Sequence, residues 1–134
     1  MPGRAAPKAA AWDKRRLLVV EDEVLVRMII AEAARDAGYQ VAEAESADAA
    51  LAYIASGRPV DLVFSDIGLP GAMNGAALAR TLAAEHPDIM VILTSGQGGA
   101  EALQADAPFI PKPYSIAEAL TLIAVTLAQK PAYG

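Results

Sequence analysis

The stretch Leu17-Leu18-Val19-Val20-Glu21-Asp22-Glu23 decides the fold. Four apolar residues without alternation suit a strand whose sheet is covered by helices on both faces. Three acids follow at once, so this strand delivers carboxylates at its C-terminal end. Beyond them, Val24 to Ala37 reads as a helix with Leu25, Met28, Ile29 and Ala33 along one apolar face, and Gly38 supplies the left-handed residue that closes it. Gln40 to Glu45 alternates as a second strand. Ser46 is placed to cap a helix through Ser56, with Ala47, Leu51, Ile54 and Ala55 inward and Gly57 as its stop.

The same unit recurs downstream. Leu62, Val63 and Phe64 form the body of a third strand over Asp61 to Asp66, which again ends in a carboxylate. The turn formers from Gly68 to Gly75 require a loop before a helix that starts near Ala76 and ends at Glu85. Ile89 to Leu93 is a fourth buried strand, tipped by the hydroxyls of Thr94 and Ser95. A short fifth strand, Phe109 to Lys112, contains Pro111, which cannot donate to a ladder and so belongs at an edge. Ser115 and Glu118 make a capping-box pattern before a last helix carrying Ala119, Leu120, Ile123, Ala124 and Leu127. Strands alternating with helices predict an α/β fold, a parallel sheet with helices on both faces.

A chain of 134 residues has room for one domain with a real core. An apolar content of 54% against 20% charged residues excludes a disordered, charge-rich tail. Without cysteine there is no disulfide framework, thiolate metal site or thiol nucleophile, and the expected location is the reducing cytoplasm. No window reaches the roughly 18 uninterrupted apolar residues of a membrane span, so no membrane partner is expected. Residues 1–16 hold Arg4, Lys8, Lys14, Arg15 and Arg16 against one acid, Asp13, and read as a flexible basic leader. The remainder is therefore more acidic than the total formal charge of −5, which argues against nucleic-acid binding by the folded part. That folded domain is expected over residues 17–128. The short tail, 129–134, is too brief for a DNA-binding module.

In an open parallel sheet the C-terminal strand ends meet at one edge, where ligands bind. The tips collected there are Glu21 and Asp22 from the first strand, Asp66 from the third, Thr94 from the fourth and Lys112 from the fifth. Three neighbouring carboxylates raise one another's pKa and call for a cation among them. Oxygen ligands without His or Cys select a hard ion, and an incomplete protein shell that leaves room for water and phosphate oxygens suits Mg²⁺. Phosphoryl chemistry follows. His86, the sole histidine, stands beside Pro87 at a helix end and reads as a surface imidazole.

This set of residues resembles the receiver domain of two-component response regulators, and the likeness runs from Leu17 to about Leu127. The resemblance implies a flavodoxin-like, doubly wound five-stranded sheet in the order 2-1-3-4-5. It implies that Asp66 accepts a phosphoryl group from a phosphohistidine donor. Asp22, Asp66 and the main-chain carbonyl of Gly68 would then ligate Mg²⁺, with Glu21 acting through a bound water. Lys112 and Thr94 would pair with phosphoryl oxygens, Thr94 and Phe109 would form the switch, and the Lys112–Pro113 peptide would be cis. The implied partners are a sensor histidine kinase or histidine phosphotransfer protein and a downstream protein target, with homodimerisation on phosphorylation as one outcome. Such a domain catalyses its own phosphoryl transfer and slow dephosphorylation and is not otherwise an enzyme.

Two departures from the family pattern stand out. Residues 96–108 must supply loop, helix and loop, so the fourth helix hardly exceeds two turns, which is short for the family. In the family, the positions two after the phosphoacceptor and two after the switch hydroxyl influence dephosphorylation; here they are Gly68 and Gly96. Neither offers a side chain to orient an attacking water, which implies slow self-hydrolysis. Two other readings stay open. One is a Mg²⁺-dependent phosphatase with an aspartyl-phosphate intermediate, for which Gly68 stands where the leaving-group acid is needed. The other is a receiver-like docking or flavin-binding module that is never phosphorylated, against which the intact acidic cluster with Lys112 argues.

Overall fold

The structure is a computed structural model that describes residues 14–97 and 99–129. Most of the expected leader and the end of the tail, residues 1–13 and 130–134, lie outside the described residues. Ten elements alternate: β1 (Arg16–Val20), α1 (Val24–Asp36), β2 (Gln40–Ala44), α2 (Ala47–Ala55), β3 (Leu62–Asp66), α3 (Gly75–Glu85), β4 (Met90–Ser95), α4 (Ala100–Gln104), β5 (Phe109–Pro111) and α5 (Ile116–Ala128). All strand pairs are parallel, and the sheet order is β2-β1-β3-β4-β5, as the resemblance implied. Because β1 begins at Arg16, the fold reaches one residue into the expected leader.

Side chains alternate across the sheet and supply two apolar layers. Leu17, Val19, Leu62, Phe64 and Ile92 pack with Ile30 and Ala34 of α1 and Ile123 of α5. Leu18, Val20 and Val63 pack on the opposite face with Ala50 and Ile54 of α2 and Leu78 and Leu82 of α3. Burial on both faces is why β1 and β3 read as continuous apolar runs. Capping places the helices: Ser46 accepts from the Ala49 N–H, Asn74 from the Ala77 N–H, and Ser115 with Glu118 forms the expected capping box. Gly38 and Gly57 take the left-handed conformation that stops α1 and α2. The fourth helix is short, five residues, as its cramped sequence requires.

Two inward faces differ from expectation. On α1 the buried residues are Ile30, Ala31 and Ala34, while Leu25 is 74% exposed and Val24, Met28 and Ile29 also face outward. The helix is apolar around much of its circumference, and the face carrying two alanines approaches the sheet more closely than the bulkier one could. On α2 Ala50, not Ala55, completes the inward face with Ala47 and Ile54, and Ala55 is exposed.

Candidate functional site

β1, β3 and β5 carry their charged tips to one end of the sheet. The Glu21 N–H donates to the Ala44 carbonyl at 3.0 Å, which extends the β1–β2 ladder by one residue and draws Glu21 inward until only 4% of its surface is exposed. Its carboxylate accepts from the Glu23 N–H at 3.1 Å through Oε2 and from Lys112 Nζ at 3.3 Å through Oε1. Asp66 ends β3 with 9% of its surface exposed. Its Oδ2 accepts from Lys112 Nζ at 3.1 Å and its Oδ1 from the Gly68 N–H at 3.3 Å. Asp22 is exposed, and one carboxylate oxygen from each of Glu21, Asp22 and Asp66 lies within 4.8 Å of the others.

The charges account for the ionisation. Burial pushes the Glu21 carboxyl above its ordinary range; the Glu23 N–H opposes that shift, Asp66 adds to it, and Lys112 opposes it. Burial alone would lower the Lys112 pKa, but the hydrogen bonds and charges of Asp66 and Glu21 outweigh it, so the ammonium is held charged. The compensating cation required among the acids is thus in part a protein group. One ammonium against three carboxylates leaves a net negative cluster of oxygen donors, and that donor set fits a hard divalent ion.

β4 completes the edge. Thr94 lies opposite Asp66 in the β3–β4 register and is 1% exposed; among the described residues its Oγ1 finds no hydrogen-bond partner. A closed crevice with no room for water is lined by Glu21, Asp66, Thr94 and Tyr114. The neighbouring Ser95 hydroxyl accepts from the Gln97 N–H, so of the two hydroxyls at this tip Thr94 is the uncommitted one. Phe109, half-buried on β5, rests against Gly99, where an added Cβ would come within 3.1 Å of its ring. The Lys112–Pro113 peptide is cis. Every side chain expected at the strand tips is therefore brought to this edge. Gly68 reaches it through its N–H.

A family model described as the response regulator receiver domain matches residues 17–124. The chain belongs to the response regulator receiver family. This places it among the signalling domains of two-component systems. The chain is 42% identical over 113 residues to the sensor kinase CckA of Brucella abortus, covering 80% of this chain and 12% of the kinase. It is 37% identical over 105 residues to the nitrogen assimilation regulatory protein NtrX of Azorhizobium caulinodans, covering 74% of this chain and 23% of that protein. The receiver thus spans a quarter or less of the length of these relatives. Among solved structures, the receiver domain of NtrX from Brucella abortus superimposes with a TM-score of 0.77 at 35% identity, covering 85% of this chain and 99% of that one. A response regulator receiver from Methanospirillum hungatei gives 0.82 at 26% identity, covering 90% and 99%.

Three participants at this edge had no sequence signal. Arg27, on α1, donates to the Glu21 carbonyl at 2.8 Å. Tyr114 packs edge to face on Phe64, with ring centroids 5.8 Å apart, and burial pushes its phenol up to about 12. Gly75 presses so closely on the Asp66 main chain that any Cβ would collide with the Asp66 carbonyl. Loop glycines are visible in a sequence, but which of them touches the end of β3 is not.

Proposed function

We propose that this receiver accepts a phosphoryl group on Asp66 from a phosphohistidine donor. The observation that carries the reading is the convergence of Asp66, a buried strand-end carboxylate, with Lys112 and two further acids. Asp22, Asp66 and the Gly68 carbonyl would hold Mg²⁺ with Glu21 behind a water, and the bound ion supplies positive charge against the phosphoryl oxygens. An Asp66 oxygen forms the bond to phosphorus as the bond from phosphorus to the donor imidazole breaks; the electron pair stays on the imidazole nitrogen, and the product is an acyl phosphate. Lys112 exchanges a carboxylate partner for a phosphoryl oxygen. The Thr94 hydroxyl, unpaired beforehand, donates to another, and Phe109 follows Thr94 inward past Gly99, which shifts the outer face toward a protein target.

The donor is a sensor histidine kinase or histidine phosphotransfer protein in the cytoplasm. Next to the acidic edge, the outward Val24, Leu25, Met28 and Ile29 of α1 form an apolar patch. It continues into a groove of about 470 Å³ between α1 and the segment after β5, where Lys112 and Tyr114 line the wall. A protein that brings an imidazole to Asp66 must cover this rim, so its contact face is apolar. The phosphatase reading is disfavoured because Gly68 supplies no acid, and the docking-only reading leaves the paired Lys112 and Asp66 without a purpose.

Transfer from a phosphorylated histidine kinase tests the reading. Label should move to this chain, be released by hydroxylamine, and be absent from Asp66→Asn. Leu25→Glu should slow transfer from the protein donor while leaving phosphorylation by acetyl phosphate unchanged. Label on the Asp66→Asn variant would overturn the assignment, and equal slowing with both donors would overturn the docking face.

A further inference from the structure

We infer that Arg27 is a positioning residue for the metal loop: braced by Glu43 at the sheet edge, it fixes the Glu21 main chain and so the aim of the Glu21 and Asp22 carboxylates. The inference rests on the Mg²⁺ reading given above.

Both main-chain groups of Glu21 are tied to the end of β2. The N–H donates directly to the Ala44 carbonyl at 3.0 Å. The carbonyl accepts from Arg27 Nη1 at 2.8 Å, and the same guanidinium donates through Nε to Glu43 Oε1 at 3.2 Å. Glu43 is braced in turn: its Oε2 accepts from Arg35 Nη2 at 3.1 Å, and that nitrogen also donates to the Val41 carbonyl at 3.0 Å. Arg27 is the better shielded of the two arginines, its side chain 15% exposed. A fork that spans a main-chain oxygen and a carboxylate needs the planar guanidinium, which a lysine ammonium does not reproduce.

The Glu23 N–H and Lys112 hold the Glu21 carboxylate itself, whereas among the described residues only the Arg27 side chain bonds the Glu21 carbonyl. Glu23, the N-cap of α1, makes no side-chain capping bond, and no acid stands in the first turn. The exposed Asp22 side chain has no partner among the described residues, so its direction follows the backbone beside it. Groups behind metal ligands commonly set their affinity by fixing orientation.

Charge and positioning make opposite forecasts. A guanidinium near the acids repels a divalent ion, so if charge were its only contribution, removing Arg27 would tighten binding. If it positions the loop, removal weakens binding.

The test is calorimetric titration of Mg²⁺ into the wild type, Arg27→Ala, Arg27→Lys, Arg35→Ala and Asp22→Asn, far below each variant's thermal midpoint. It is paired with amide hydrogen exchange at Glu23, whose N–H donates to Glu21 Oε2, in metal-free protein. The wild type should bind and Asp22→Asn should not; both Arg27 variants should bind roughly tenfold more weakly, with Arg35→Ala within about twofold of wild type. Exchange at Glu23 should accelerate in the Arg27 variants alone. Unchanged or tighter binding by Arg27→Ala, or an equal loss in Arg35→Ala, overturns the inference. If the wild type binds no Mg²⁺, the metal reading falls and exchange decides the positioning: faster at Glu23 only in the Arg27 variants supports it, and no change overturns it.

Discussion

Lys112 Nζ stands 3.1 Å from Asp66 Oδ2 and, with the same ammonium, 3.3 Å from Glu21 Oε1. One side chain from the far edge of the sheet thereby joins the tips of β1 and β3. It neutralises part of the acidic cluster, and it would compete there with a metal ion. Lys112→Ala should therefore bind Mg²⁺ more tightly while its phosphorylation by acetyl phosphate slows, by on the order of tenfold or more, for want of a cation on the transferring group. Calorimetry and a phosphorylation time course measure the two effects. Weaker Mg²⁺ binding would contradict the competition.

Thr94 is buried, and among the described residues its hydroxyl has no partner, an arrangement that costs stability. Thr94→Val keeps the shape and removes the hydroxyl. Chemical denaturation should find the variant as stable as wild type or up to about 1 kcal/mol more stable. A loss of stability would indicate that the hydroxyl already has a partner.

Gly75 touches the main chain of Asp66, whereas nothing lies within 4 Å of a Cβ placed on Gly68. Gly75→Ala should cost about 1–3 kcal/mol, the usual penalty of forcing atoms into a packed site, and should displace Asp66 enough to impair phosphorylation. Gly68→Ala should fold normally. Equal thermal midpoints for the two variants would refute the contrast.

The Tyr114 phenol is pushed up to about 12, chiefly by burial, with Lys112 opposing and Glu21 and Asp66 adding to the shift. Its folded pKa exceeds the unfolded value of about 10. The stability contributed by the neutral phenol is thus complete below about pH 10 and is lost as pH rises toward about 12. Phenolate absorbance of wild type minus Tyr114→Phe should titrate at the upper value. A difference titrating near the ordinary tyrosine value would show that the ring is solvated.

A Cβ placed on Gly68 or on Gly96 meets nothing within 4 Å, and neither residue supplies a group to orient a water. Purified phosphorylated protein should lose its phosphoryl group slowly, over minutes or longer. Decay within seconds would mean that another group activates the water.

Element order, the edge position of β5, the shortness of α4 and the collection of charges at strand tips were all legible because each rests on local chemistry: apolar runs, caps, turn formers and a proline. The strand order was not local information and came through the family resemblance. The inward face of α1 was illegible for a physical reason. Val24, Leu25, Met28 and Ile29 are as apolar as a core face, and only the presence of the sheet shows that Ile30, Ala31 and Ala34 pack instead. Arg27 and Glu43 escaped notice because their pairing depends on how a helix crosses an edge strand, which no spacing along the chain encodes.

Under the proposed function, Asp66 should take up a phosphoryl group only when a divalent ion is held beside it. Intact-mass measurement after acetyl phosphate treatment, with Mg²⁺ and with chelator, on wild type and Asp66→Asn, decides the point. One phosphoryl adduct on wild type with Mg²⁺, and none in the other three samples, is the predicted result. An adduct that persists in chelator, or that forms equally on Asp66→Asn, would contradict it.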